Sequence, residues 1–178
     1  MTRVALTGTP GTGKTTVSDL VAERHPVRVI HLNDAVREEG LFAERDVDRD
    51  SLVADLAAVE SWLDERIGDD ESVRDALIES HLSHLLDVEK VVVLRCDPDV
   101  LTSRLRDRDE SAASIAENAE SEALDVILAE AVERHGESSV WEIDTTDRTP
   151  AAVADDVVAA IEGEMAPRVG VVDFIDYL

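Results

Sequence analysis

The sequence predicts an α/β fold, one domain built on a parallel sheet with helices on both faces. Two observations carry the prediction. Short Val- and Ile-rich runs alternate with stretches of helical period along the whole chain. A single glycine-rich turn joins the first such run to the first helical stretch. There is no internal repeat and no low-complexity linker, and 178 residues suit one domain that buries about two thirds of its unfolded surface.

The elements follow in order. "RVALT" (3–7) reads as a buried strand, followed by the glycine turn and a helix over 14–24 with Val17, Leu20 and Val21 on one face. "VRVIHL" (27–32) is a second strand, and "NDAVREEG" a short helix that Asn33 caps and Gly40 ends. Residues 42–51 are polar and read as irregular, then a helix runs over 54–67 and stops at Gly68. "DALIES" (75–80) is a third strand, and "KVVVLR" (90–95), apolar without alternation, belongs in the middle of the sheet. "PDVLTSRLRDR" is helical, 109–114 is a break of small polar residues, and a helix covers 115–133, where Ile115, Ala119, Ala123, Ile127 and Ala131 step by four. "SVWEID" (139–144) is the last strand, before a helix with Pro150 in its first turn.

Charge narrows the function classes. The chain has 41 acidic and 17 basic residues, a net charge of −24, and only two of its basic residues are lysines, Lys14 and Lys90. Excess carboxylates with arginine kept over lysine fit a protein tuned to a very salty interior, where self-repulsion is screened. Such a surface disfavours loose binding to nucleic acid or to anionic membrane, and suits a basic protein partner. Hydrophobic residues at 44% support a packed core, and aromatics at 3% make that core aliphatic. Cys96 is the only cysteine and reads as buried and inert. It allows no intrachain disulfide and fits a reducing compartment. No apolar run approaches the ~20 residues a bilayer span needs, and "MTRVALTG" enters a strand at once. The expected location is the cytoplasm.

The chemistry starts at Gly8-Thr9-Pro10-Gly11-Thr12-Gly13-Lys14-Thr15, a P-loop pattern placed after a strand and before a helix. Its glycines let backbone N–H groups turn inward around phosphates, and the helix start adds its positive dipole end. Lys14 reaches the β and γ phosphates, and the Thr15 hydroxyl ligates Mg²⁺. Glu79, at the end of "DALIE", stands where an acid could hold the metal through water; it is otherwise an ordinary strand-end carboxylate. Arg104, Arg106 and Arg108 form the densest basic cluster. On a helix, 104 and 108 share a face while 106 points away and pairs with nearby acids. Either the first two converge on a phosphate beside a lid hinge, or the cluster is a solvated face. Distant acids do not forbid a polyanion here, since the screening length shrinks to about 3 Å at 1 M salt.

With those residues in view, the chain resembles the small adenylate kinase family called adenylate kinase isoenzyme six, in its archaeal branch. "ALTGTPGTGKTT" resembles the family's P-loop, "LNDAVREEGLF" its nucleoside-monophosphate region, "VVVLRCDPDVLTSRLRDR" its strand and lid-entry helix, and "IAENAESEALDVI" the helix after the lid. "VGVVDFIDYL" is similar to the tail of archaeal members, so the match spans nearly the whole chain. The resemblance implies a nucleoside monophosphate kinase fold, with a five-stranded parallel sheet in which the metal-acid strand flanks the P-loop strand. It implies transfer of a phosphoryl group from MgATP to AMP, giving two ADP. Gly11, Gly13, Lys14, Thr15 and Thr16 would hold ATP, with Arg108 and Arg104 on the phosphates. Asn33, Asp34 and Arg37, in a segment of about 31–54, would hold AMP, while Thr15 and, through water, Glu79 would hold Mg²⁺. His81 is either catalytic or structural. The lid, about 107–117, departs from the family: "RDESAAS" lacks its usual glycine and aromatic, Ser114 stands where a lysine is common, and Glu79 replaces the aspartate of many members. Weaker lid chemistry is the expectation. The resemblance also implies a role in maturing the small ribosomal subunit through a basic ribosomal protein. The alternative to a kinase is therefore a slow ATPase that serves assembly. The tail, 164–178, holds one of two Phe and the only Tyr. It either docks on its own core or meets a partner.

Overall fold

In the computed structural model of the chain, residues 1–46, 51–67 and 74–178 are described. Five parallel strands form the central sheet: β1 (Thr2–Thr7), β2 (Val27–His31), β5 (Asp75–Glu79), β6 (Lys90–Arg95) and β7 (Val140–Asp144), in the order β2-β5-β1-β6-β7. The P-loop strand is thus central. The strand ending in Glu79 pairs with it, Leu6 standing opposite Glu79. This is the sheet that the family resemblance implies.

Alternation along the strands divides the core into two layers. Val4, Leu6, Leu77, Val92 and Leu94 face α1 (Lys14–Arg24) and α7 (Pro150–Glu162), meeting Val17, Val21, Val153 and Val157. Ala5, Ala76, Ile78, Val91 and Val93 face the other way, onto Leu32 and Val36 of α2 (Leu32–Glu38), Val59 and Leu63 of α3 (Leu56–Ile67) and Leu128 and Ala131 of α6 (Val126–His135). Both faces of β6 are covered, which explains its unbroken apolar run.

Four sequence expectations change. Residues 42–51 are not irregular throughout: β3 (Phe42–Asp46) and β4 (Ser51–Ala54) pair antiparallel, the backbone ladder making the strand where side chains give little signal. The helix expected from 54 starts at Leu56, because Asp55 ends the strand and accepts from the Ala58 N–H at 3.1 Å. Gly68, its expected stop, lies outside the described residues. Asn33 caps nothing; α2 starts one residue earlier, and the Asn33 side chain accepts from the Ser80 hydroxyl at 2.8 Å. The helix expected over 115–133 is two. α5 (Ala112–Ala123) starts within the supposed small-residue break, capped by the Ser111 hydroxyl on the Ser114 N–H. It ends before Asp125, whose φ of 55° breaks the helix before α6.

The tail docks on its own core, at β7. The Arg168 N–H donates to the Val140 carbonyl at 3.1 Å, and the Glu142 N–H donates to the Arg168 carbonyl at 2.8 Å. Ile175, Tyr177 and Leu178 stay exposed. No helix among the described residues is long and apolar enough to cross a membrane.

Candidate active site

The site gathers at the carboxyl ends of the parallel strands, where open α/β sheets place their ligands. Residues 8–13 turn from β1 into α1. Gly8, at φ 141°, must be glycine: a Cβ there would stand 2.4 Å from the Leu94 carbonyl oxygen of the neighbouring strand. Gly13 precedes α1 at φ 94° and faces open space, so a phosphate could approach its backbone closely.

Lys14 is buried, and its Nζ donates to the carbonyls of Gly8 at 2.8 Å and Thr9 at 3.1 Å. Burial lowers its pKa to about 8, with Glu79 and Glu122 pulling the other way and Arg108 adding to the fall. A bound polyanion would raise it again. Thr15 and Thr16 are exposed at the start of α1.

A cavity of about 140 Å³ joins Lys14, Thr15, Asn33, Glu79, His81 and Arg108. Glu79 is buried beside it, its Oε2 held by His31 Nδ1 at 3.0 Å. Burial, then Lys14 and His84, lower the His81 pKa to about 4, so its ring is neutral at pH 7.

A second cavity, about 230 Å³, opens on the other side of the loop between Arg104, Thr145, Arg148, Pro150 and Val153. Gly11, Gly13, Thr16 and Arg108 line both. Arg104 Nη1 and Nη2 donate to the carbonyls of Gly11 and Thr145, each at 3.4 Å. Arg104 thereby braces the loop against the end of β7.

Each expected residue can now be placed. Gly11, Gly13, Lys14, Thr15, Thr16, Glu79, His81, Arg108 and Asn33 converge on the first cavity, while Arg104 lines the second. Asp34 and Arg37 line neither cavity; they pair with each other at 3.4 Å on the exposed side of α2. Arg104 lies in the last turn of α4 (Pro98–Arg106) and lines the second cavity together with Arg108. Arg106 is exposed and, among the described residues, makes none of the expected pairs with acids. Of the expected lid, about 107–117, residues 107–111 form the turn between α4 and α5, with Asp109 at φ 57°, and 112–117 open α5. Arg148 and Thr145 went unnoticed in the sequence. Their place just after the last strand was the available signal, since parallel-sheet sites collect at such loops.

For Mg²⁺ the donors are hard oxygens, the Thr15 hydroxyl and the Glu79 carboxylate on one cavity wall. Among the described residues no group of three or more His, Cys, Asp or Glu could hold a metal alone.

A family model described as "AAA domain" matches residues 4–125. The chain is 60% identical over 176 residues to a protein of Natronomonas pharaonis named "Putative adenylate kinase", covering 99% of both chains. Relatives of the same name in Halobacterium salinarum and Methanocaldococcus jannaschii are 49% and 38% identical, across 99% of this chain and 99% and 97% of theirs. The chain belongs to this adenylate kinase family. A shikimate kinase from Bacteroides thetaiotaomicron shares the fold, with a TM-score of 0.56 at 21% identity over 90% of this chain and 98% of that one. The residues matched by the AAA model, 4–125, run from β1 to just past the end of α5.

Proposed function

We propose that the protein is an adenylate kinase, transferring the γ-phosphate of MgATP to AMP to give two ADP. One observation carries the reading. The phosphate loop has a cavity on each side, and Gly11, Gly13, Thr16 and Arg108 belong to both. A donor and an acceptor nucleotide would then meet over one set of amides. The larger cavity, with Val17, Pro150 and Val153 as apolar floor and Arg104 and Arg148 at its rim, suits the donor base and ribose. The smaller one, bordered by Asn33, suits the acceptor phosphate, with Asp34 and Arg37 on the helix above it.

Phosphoryl transfer needs alignment and charge neutralisation more than a covalent residue. The loop amides, Lys14 and Arg108 would meet the charge that builds on the transferring oxygens. Arg104 would hold the loop in place for that contact. Mg²⁺, when bound with ATP, supplies further charge at the β and γ oxygens; Thr15 would hold it directly and Glu79 through water.

We assign the chain to the isoenzyme-six branch of the family on its P-loop, lid-entry and tail motifs, and place its work in a salty cytoplasm. The relatives at 60% and 49% identity come from halophiles, in keeping with a net charge of −24. A second reading, slow ATP hydrolysis in small-subunit assembly with a basic ribosomal protein as partner, draws on one observation. Arg37 stands exposed on its helix and lines no acceptor pocket, so water could reach a γ-phosphate.

The test follows products from MgATP in molar KCl by ³¹P spectra, with and without AMP, for the unsubstituted protein and Lys14→Ala. Two ADP per ATP consumed, only with AMP and lost in the variant, is the expected outcome. Phosphate release indifferent to AMP would replace the kinase reading with the ATPase one.

A further inference from the structure

We infer that the C-terminal tail positions the phosphate loop, acting through a buried relay of Arg95, Glu122 and Glu142. The inference rests on the loop's role in binding nucleotide phosphates and extends it to residues that touch no substrate.

The relay can be followed atom by atom. The Thr9 hydroxyl, within the loop, donates to Glu122 Oε2. Glu122 Oε1 accepts from Arg95 Nε at 2.8 Å and from the Cys96 N–H at 3.0 Å. Arg95 Nη2 donates to the Glu122 carbonyl at 3.0 Å and to Asp125 Oδ1 at 2.5 Å, and Nη1 donates to Glu142 Oε1 at 2.8 Å. Glu142 Oε2 accepts from the Val171 N–H of the tail at 2.6 Å. The Phe174 ring lies 5.5 Å from the Arg95 guanidinium carbon and covers it.

Arg95, Glu122 and Glu142 are 1%, 3% and 0% exposed, so none can move without stranding a charge out of water. Thr9 is the loop residue whose carbonyl accepts from both Lys14 Nζ and the Thr12 hydroxyl. Holding Thr9 therefore holds the lysine and the turn around it. When residues 171–174 lift away, Glu142 loses its N–H donor and Arg95 loses its cover. The relay then loosens at its far end, and Glu122 is a positioning residue whose orientation the tail helps to set. Linkage makes the effect reciprocal: whatever factor the docked tail adds to nucleotide affinity, bound nucleotide adds to tail docking.

The test is calorimetric titration of the full chain in molar KCl with a non-hydrolysable MgATP analogue. The variants are Phe174→Ala, Thr9→Val, Thr9→Ser and the Phe174→Ala/Thr9→Val pair. The expected result is a loss of about five-fold or more in affinity for Phe174→Ala, within the range of typical couplings. In the Thr9→Val background, where the loop is already cut from Glu122, Phe174→Ala should add less than about two-fold, and Thr9→Ser, which keeps the hydroxyl, should bind more tightly than Thr9→Val. An unchanged affinity in Phe174→Ala, or losses that simply multiply in the pair, would overturn the proposal. If any variant fails to fold, amide exchange at Val171 in the unsubstituted protein decides: slowing by the analogue supports the relay, and an unchanged rate refutes it. A failure of AMP-dependent transfer would remove the kinase reading without altering these binding outcomes.

Discussion

Replacing Arg95 by methionine tests the energetics of this core most sharply. Methionine keeps much of the stem volume and removes the head. It strips the partner from two carboxylates that are 3% and 0% exposed, Glu122 and Glu142. Burial by itself works against the guanidinium's charge, but Glu122 and Asp125 outweigh it and raise its pKa, so the charge is held. Asp125, with a side chain 43% exposed, can return to water at little cost. Breaking a buried pair on one side costs about 3–5 kcal/mol, and two stripped carboxylates place this variant in the upper half of that range. For a domain of this size each kcal/mol lowers Tm by about 2–4 °C, so the midpoint should fall by roughly 8–20 °C. Thermal melts followed by far-UV circular dichroism, at 1 M and 3 M KCl, measure it. Because the pairs are buried, the gap should persist as salt rises. Adding Glu122→Gln and Glu142→Gln to the variant should recover about half the loss, by removing the unpaired charges. A melt within 3 °C of the unsubstituted protein, or a gap that closes at high salt, would refute the reasoning.

Three further outcomes follow from single contacts. Gly8→Ala puts a Cβ against the Leu94 carbonyl and a side chain at φ 141°, so it should lose nucleotide binding by at least ~10-fold and about 2 kcal/mol or more of stability, read by titration and melting. Cys96 is fully buried, and burial pushes its thiol pKa up to about 11; Arg104 and Thr145 oppose this without winning. At pH 8 the thiol should therefore stay protonated and resist alkylation until the protein unfolds, which mass spectrometry can follow. Arg148→Ala should raise KM for ATP by about 10-fold while KM for AMP changes less than two-fold, since Arg148 lines only the larger cavity.

Much of the fold was legible because backbone demands dictated residue types. The P-loop needs glycine at 8, 11 and 13, and "KVVVLR" can be so apolar only where both faces are covered. Arg108 and Arg104 showed through as cations in an acid-rich chain. What stayed hidden was decided by contacts far apart in sequence. Glu122 sits in "NAESEAL" and looks like one more surface acid among 41 acidic residues, yet it joins Thr9 to Arg95. Asp125, where the helix breaks, pairs with the same arginine, 30 residues away. The β3–β4 pair lacks clear alternation, so its ladder left no pattern to read. Arg95 did leave a trace: an arginine closing an unbroken apolar strand needs buried partners, and Glu122 and Glu142 supply them.

Direct phosphoryl transfer, as proposed, needs the two cavities flanking the loop to hold donor and acceptor at once. ATP labelled with ³²P at the γ position, mixed with unlabelled AMP, Mg²⁺ and the protein in molar KCl, tests it most directly. Label should first appear in the β-phosphate of newly formed ADP, at a rate that saturates with AMP. Label appearing only as inorganic phosphate, at a rate AMP does not change, would contradict it.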